Sequence, residues 1–241
     1  MSVVEVRDLV KDFGVFRALH GVSFEVEEGE VFGLVGPNGA GKTTTFRILA
    51  GLLPPTSGEV RVLGASPGDL RIRRYVSYLP EDAGTYRNIT GYEFLEMIAR
   101  IYYGKGGEAE EALELGLKIA GLGSAAYEKM KTYSKGMKRR IQVARALMVK
   151  PRVAILDEPT SGLDVLQARE VREIVRRYAR ELGTTVLLSS HNMGEIEATC
   201  DTVALIHRGR IITRGRLAEL LSSYGARNLE ELFISLVGEV A

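Results

Sequence analysis

Between an apolar run and an amphipathic segment lies Gly36-Pro37-Asn38-Gly39-Ala40-Gly41-Lys42-Thr43, which meets the spacing G-x-x-x-x-G-K-[ST] at every specified position. That spacing restricts the fold more than any other part of the chain. Glycines let the backbone curl until several N–H groups converge, and the flanks say what surrounds the curl. Glu30-Val31-Phe32-Gly33-Leu34-Val35 reads as a buried strand, and Thr44 to Leu53 carries Phe46, Leu49, Leu52 and Leu53 at helical spacing. Strand, loop and helix in that order put an anion on a helix N-terminus, where backbone donors and the dipole favour negative charge. The residue types specify a phosphate chain: Lys42 offers a mobile ammonium for the outer phosphates, and the Thr43 hydroxyl is a ligand for Mg2+.

With 241 residues and 45% hydrophobic content, the chain can bury the core of one large α/β domain, or of such a domain with a smaller lobe. Lys and Arg number 32 against 31 Asp and Glu, a formal charge of +1, so no global field argues for nucleic acid or an anionic membrane surface as partner. Cys200 is the only cysteine; it rules out an internal disulfide, fits a reducing compartment and is expected to be a semi-buried thiol. The first residues acquire charge early and show no signal-peptide apolar region. No apolar stretch approaches the roughly 18 residues a membrane span needs, so work at a membrane would require another subunit to do the spanning.

Read in order, Val3 to Glu27 alternates as antiparallel strands, with Val4, Val6, Val22, Phe24 and Val26 inward and turns at Asp12-Phe13-Gly14 and Glu28-Gly29. Phe13 in the first turn is either a ring that stacks on a base or a local core plug. Glu59 to Gly64 and a segment leading to Pro80 read as further strands, followed by a polar turn at Glu81-Asp82-Ala83-Gly84. Thr90 to Ala120 has helical periodicity and reads as a lobe inserted into the sheet domain, and Ser134 is suited to cap a helix that Pro151 ends. The apolar run Val153 to Leu156 terminates in Asp157-Glu158, the placement expected where a nucleotide enzyme holds metal and water. A helix over Ala168 to Leu182, a strand from Thr185 to Ser189 ending at His191, a helix from Met193 to Thr199, a strand pair around Gly209 and one helical tail from Leu217 to Leu236 complete the chain. Strands alternating with helices predict an α/β fold with a mainly parallel sheet flanked by helices.

In their order these motifs resemble the nucleotide-binding subunit of the ATP-binding cassette (ABC) transporters, over almost the whole chain. Gly36 to Thr43 is similar to the family's Walker A, Val153 to Glu158 to its Walker B with the adjoining glutamate, and Tyr133-Ser134-Lys135-Gly136-Met137 to its signature motif. Ser161-Gly162-Leu163-Asp164 resembles the D-loop, His191 the switch histidine, and Phe13 the aromatic that stacks on adenine. The resemblance implies one ABC ATPase domain over residues 1–241. Its parts would be a P-loop NTPase core with an antiparallel β subdomain over about 1–80 and 151–215, a helical subdomain over about 81–150, and a helical tail over about 216–241.

The same resemblance implies the site. ATP would be held by Phe13, Gly36, Pro37, Asn38, Gly39, Ala40, Gly41, Lys42, Thr43 and Thr44, with Ser134 and Gly136 of a second copy closing the other side of a head-to-tail, ATP-dependent dimer. Thr43, Asp157 and Glu81 would serve Mg2+; Glu158 would be the base or water-orienting residue, with His191 and Lys42 stabilising charge. Two departures stand out: Lys135 replaces the first glycine of the signature, and Glu81 the usual Q-loop glutamine. With Asn228-Leu229-Glu230-Glu231-Leu232-Phe233, they resemble the branch serving drug, antibiotic, polysaccharide or lipid exporters. The implied protein is an ATPase subunit that powers export through separate transmembrane permeases, peripheral on the cytoplasmic face of the cell membrane, with no nucleic-acid partner. A soluble ABC ATPase of cofactor assembly or repair, or an importer subunit, is the alternative. The basic run from Lys135 to Arg140 at a helix start opposes the dipole; it either meets a nucleotide anion on the second copy, as the resemblance implies, or is a solvated basic face.

Overall fold

The computed structural model describes residues 1–238. Strands β1 (Ser2–Phe13) and β2 (Phe16–Glu27) form a hairpin, and β4 (Ser57–Val62) pairs with the other edge of β1, giving a three-stranded antiparallel sheet in the order β2-β1-β4. Valine and phenylalanine at alternating positions produce it: Val4, Val6, Val22, Phe24 and Val26 are all buried, as the alternation predicts.

The second sheet has six strands, β5 (Val76–Leu79), β6 (Val153–Asp157), β7 (Thr185–Ser190), β3 (Val31–Val35), β8 (Thr202–His207) and β9 (Arg210–Arg216), in that spatial order. All are parallel except β9, which returns antiparallel to β8. Every residue of β3, β6 and β7 is buried, because helices or the first sheet cover both faces. Parallel register brings the C-terminal ends of these strands to one edge: Leu34 and Asp157 both pair with Ser189, and Val35 pairs with Ser190. Ligands of open α/β sheets bind outside such an edge.

Helix α1 (Lys42–Leu49) packs with the antiparallel sheet on one face, where Phe24 stacks on Phe32 at 5.1 Å between centroids. The opposite face carries α3 (Gly91–Tyr103), α4 (Gly107–Ala120), α5 (Lys135–Leu147) and α6 (Val165–Leu182), whose apolar sides share one cluster with Leu79, Leu156 and Leu188. Thr90 starts α3 with a capping box closed by Glu93, and α7 (Met193–Thr199) is capped by Asn192.

Several elements differ from the sequence reading. The helix after the glycine loop begins at Lys42 and stops at Leu49, because Gly51 turns at φ 70 against Pro67; Leu52 is consequently exposed instead of facing the core. A short helix α2 (Leu70–Arg73), capped by Asp69, carries no periodic signal of its own. The expected single tail is two helices, α8 (Leu217–Tyr224) and α9 (Leu229–Gly238), separated at Gly225 with φ 63. The last three residues of the expected tail, 239–241, lie outside the described residues. Cys200 is buried rather than semi-buried, and burial pushes its thiol pKa up. Among the described residues, no helix is long and apolar enough to cross a membrane.

Candidate active site at the end of the parallel sheet

The glycine loop leaves β3 and is pinned from three sides. Gly36 donates to the Ser190 carbonyl of β7, and the Ala40 carbonyl accepts from the Gly209 amide of the β8–β9 turn. A Cβ at Gly36 would collide with the Ile206 carbonyl, so only glycine lets the loop lie this close to β8. Gly41, at φ 109, bends the chain into α1 in a region other residues avoid. Within this curl Lys42 is buried, and its Nζ donates to the carbonyls of Gly36 at 2.7 Å and Pro37 at 3.2 Å.

Asp157 and Glu158 arrive from the end of β6. Ser189 of β7 ties them together: its hydroxyl accepts from the Glu158 amide at 2.9 Å and donates to Asp157 Oδ1 at 2.6 Å. Tyr78 of β5 donates to Asp157 Oδ2 at 3.3 Å. Burial and the Asp157 charge push the Tyr78 phenol up to about 12, keeping it a donor at neutral pH. The fully buried Asp157 carboxylate thereby has both oxygens satisfied, as a buried charge requires.

Glu158, itself buried and in the left-handed region at φ 48, turns its carboxylate toward the loop. Oε1 lies 3.3 Å from Lys42 Nζ, an ion-pair distance outside hydrogen-bond geometry, so among the described residues that oxygen has no hydrogen-bond partner. Oε2 is 2.9 Å from His191 Nδ1; against a carboxylate acceptor this nitrogen carries the proton. Lys42, Glu158 and His191 thus converge from α1, β6 and β7, although 149 positions separate the first from the last in the sequence numbering (191 − 42).

The other expected residues are placed differently. Pro37, Asn38 and Gly39 form the exposed rim of the loop, while Thr43 and Thr44 begin α1 half-buried. Phe13 ends β1 and is 47% exposed, so it is no core plug; Lys11 Nζ stands 5.2 Å from its ring centroid. Glu81, two residues past β5, is held on Ser161, whose hydroxyl donates to Oε1 at 3.0 Å, while Arg139 donates to its carbonyl at 2.9 Å. Burial lowers the Arg139 pKa and the charges of Glu81 and Asp82 oppose that. Ser134 caps α5, accepting from the Met137 amide at 3.1 Å, and Gly136 packs on Gln167 of α6. Among the described residues, no hydrogen bond joins Ser134 or Gly136 to the glycine loop. Lys135 folds its ammonium over Gly162 of the same chain.

Sequence reasoning missed Ser189 and Tyr78. A signal existed for the first, since two hydroxyls, Ser189 and Ser190, end an otherwise apolar strand.

No group of three His, Cys, Asp or Glu is arranged to cage a metal among the described residues. The donors of Thr43, Asp157 and Glu81 are nonetheless hard oxygens, the type Mg2+ takes, and Mg2+ on a nucleotide uses one or two carboxylates with phosphate oxygens and water rather than a cage. In donor type the residues fit such an ion.

Comparison with known proteins shows the family and the fold. The family model described as ABC transporter matches residues 19–161, which run from β2 through the glycine loop to Ser161. The chain belongs to the ABC transporter family. As such it is an ATP-binding, ATP-hydrolysing subunit of a transporter. The linearmycin resistance ATP-binding protein LnrL of Bacillus subtilis is 35% identical over 98% of this chain and 76% of its own length. The daunorubicin/doxorubicin resistance ATP-binding protein DrrA of Streptomyces peucetius is 41% identical over 94% of this chain and 69% of its own. A dimeric ATP-binding cassette in a post-hydrolysis state, bound to ADP and Pi, superposes with a TM-score of 0.78 at 25% identity, covering 89% of this ABC ATPase and 98% of that chain.

Proposed function

We propose that this chain hydrolyses ATP with Glu158 as base, in a head-to-tail dimer that drives drug or antibiotic export through separate permease subunits. The observation that carries the reading is the convergence of Lys42, Glu158 and His191, with one Glu158 oxygen held and the other without a hydrogen bond. In-line transfer of a phosphoryl group needs positioning and charge more than covalent help. Water attacks the γ-phosphorus, its proton passes to Glu158 Oε1, and the bond to the ADP oxygen breaks. His191 fixes the carboxylate through Oε2, and Lys42 exchanges its carbonyl partners for phosphate oxygens. Backbone amides of Gly39 to Thr44 cradle the phosphates, and Phe13 stacks on the adenine.

Thr43, with Asp157 and Glu81, would hold Mg2+, which supplies neutralisation of phosphate charge when bound. Asp157 is already tied to Ser189 and Tyr78, so its contact with the ion would run through water or follow a change of partner. The related cassette that is dimeric with ADP and Pi supports the sandwich, in which Ser134 and Gly136 of one copy meet the nucleotide of the other. Resistance functions in the names of LnrL and DrrA, together with Glu81 and Lys135, support export over import. A permease partner would place the chain on the cytoplasmic face of the membrane.

Glu158→Gln is the test. It should bind ATP normally, accumulate as an ATP-bound dimer on size exclusion, and lose about 100-fold or more of its hydrolysis rate. Turnover at the wild-type rate would remove Glu158 from its role.

A further inference from the structure

A second carboxylate near the site gathers groups from three elements. Glu195 of α7 accepts on Oε2 from the hydroxyls of Thr160 at 2.6 Å and Ser190 at 3.1 Å, and on Oε1 from Arg172 of α6 at 3.2 Å. Thr160 and Ser190 are buried, and the Glu195 side chain is only 14% exposed. Hydrogen bonds to an ionised acceptor in such a setting are the strong ones.

The two hydroxyls lie on the segments that carry the reacting pair. Thr160 follows Glu158 with only Pro159 between them, and Ser190 immediately precedes His191. Beyond His191 the chain is fastened again: the Asn192 amide donates to Ser190 Oγ at 3.0 Å, and Asn192 Oδ1 accepts from the Glu195 amide at 3.2 Å. Beyond the last paired residues of β6 and β7, one carboxylate therefore adds a tie between the backbone leaving Glu158 and the backbone entering His191, whose side chains meet at 2.9 Å. Anchoring α7 does not require this carboxylate. Ile196 is fully buried, Arg176 donates to the Ala198 carbonyl at 2.9 Å, and Glu197 accepts from the Leu229 amide of α9.

We propose that Glu195 is a positioning residue for hydrolysis, holding Thr160 and Ser190 so that His191 Nδ1 stays on Glu158. The inference rests on the reading of Glu158 and His191 given above. It acts through two other residues and touches no phosphate, so it should set the turnover rate and leave ATP affinity alone.

The experiment uses the full chain. Thr160→Val removes one hydroxyl while keeping its volume, Thr160→Ser restores it, and Glu195→Gln keeps the shape but removes the charge facing Arg172. Steady-state hydrolysis is measured beside melting temperature and the 15N spectrum of histidine-labelled protein, which contains only His20, His191 and His207. Thr160→Val and Glu195→Gln are expected to lower kcat about tenfold with KM within about twofold, since a small misplacement of reacting groups acts on rate. Thr160→Ser should recover the rate, and only the His191 signals should move. An unchanged kcat in either variant overturns the proposal, as does a lowered rate with an unmoved His191 signal, which marks a purely structural role. Glu158→Gln run in parallel separates the two ideas. If it hydrolyses ATP normally, the site reading fails; if it is inactive while Thr160→Val is normal, only the positioning role fails.

Discussion

The C-terminal edge of the parallel sheet and the start of α5 both offer groups for phosphate, yet they are built in opposite ways. At the sheet edge, Lys42, Asp157 and Glu158 are buried and bound to residues from neighbouring strands. At α5, Ser134 and Lys135 are exposed, among the described residues Ser134 bonds only within its own first turn, and that turn holds basic residues and no acid. Cations there oppose the helix dipole. Helix α3 shows the self-sufficient alternative, with Glu93 in its first turn closing a capping box on Thr90. The sheet edge is tied within one chain, whereas the α5 terminus sets cations against the helix dipole, an arrangement that an anion from outside would relieve in the proposed dimer.

Paired substitutions can break this contrast. Ser134→Ala and Thr90→Ala should each cost about 1 kcal/mol of stability through loss of a cap. Only Ser134→Ala should also lose hydrolysis, by about 100-fold, because in the proposed dimer it would remove a donor to the transferring phosphate held by the second copy. Equal rates for the two variants would show that α5 is an ordinary helix start. A smaller effect is expected at the β1–β2 hairpin: Phe13→Ala should weaken ATP binding about tenfold by equilibrium titration, the worth of one base stacked on an aromatic ring. Phe16→Ala, its cross-strand partner, should change affinity less than about twofold, and the reverse order would reassign the adenine contact.

The smallest effect sharpens the description of the sheet edge. Tyr78 holds its proton to about 12 in the folded chain because of burial and Asp157, against roughly 10 when unfolded. Between those values the native state binds more protons than the unfolded state, so this contribution to stability is whole below pH 10 and is lost as pH rises through 12. Urea denaturation of Tyr78→Phe should therefore show a shallower alkaline loss of stability than the wild type over that range. A parallel pair of curves would remove Tyr78 from the Asp157 network.

Local pattern made much of the fold legible. Apolar runs gave β3, β6 and β7, alternation gave the inward face of the first hairpin, and Ser134 and Pro151 bracketed α5. Elements governed by single turns were less legible: Gly225 splits the tail and Gly51 ends α1 early, and a glycine inside a periodic run does not announce whether it will break it. At the site, residues with a fixed chain spacing were readable, while partners supplied by another strand were not. Ser189 and Tyr78 reach Asp157 only because β5, β6 and β7 lie side by side in register, and Glu195 reaches Thr160 across 35 positions (195 − 160). Phe13 could be read two ways until burial decided that it is no part of the core.

The left-handed backbone at Glu158 sets folding and chemistry at odds. For a residue with a Cβ, that conformation costs about 1 kcal/mol relative to an ordinary one, a cost glycine escapes. Glycine at position 158 would relieve that cost but would leave the buried Lys42 ammonium without the carboxylate that stands 3.3 Å away, and turnover in the proposed mechanism requires the carboxylate. The chain keeps the less comfortable residue at a position on which its proposed function depends, and bonds to Ser189 and His191 hold it there. Relief of backbone strain at position 158 would therefore come with an inactive protein.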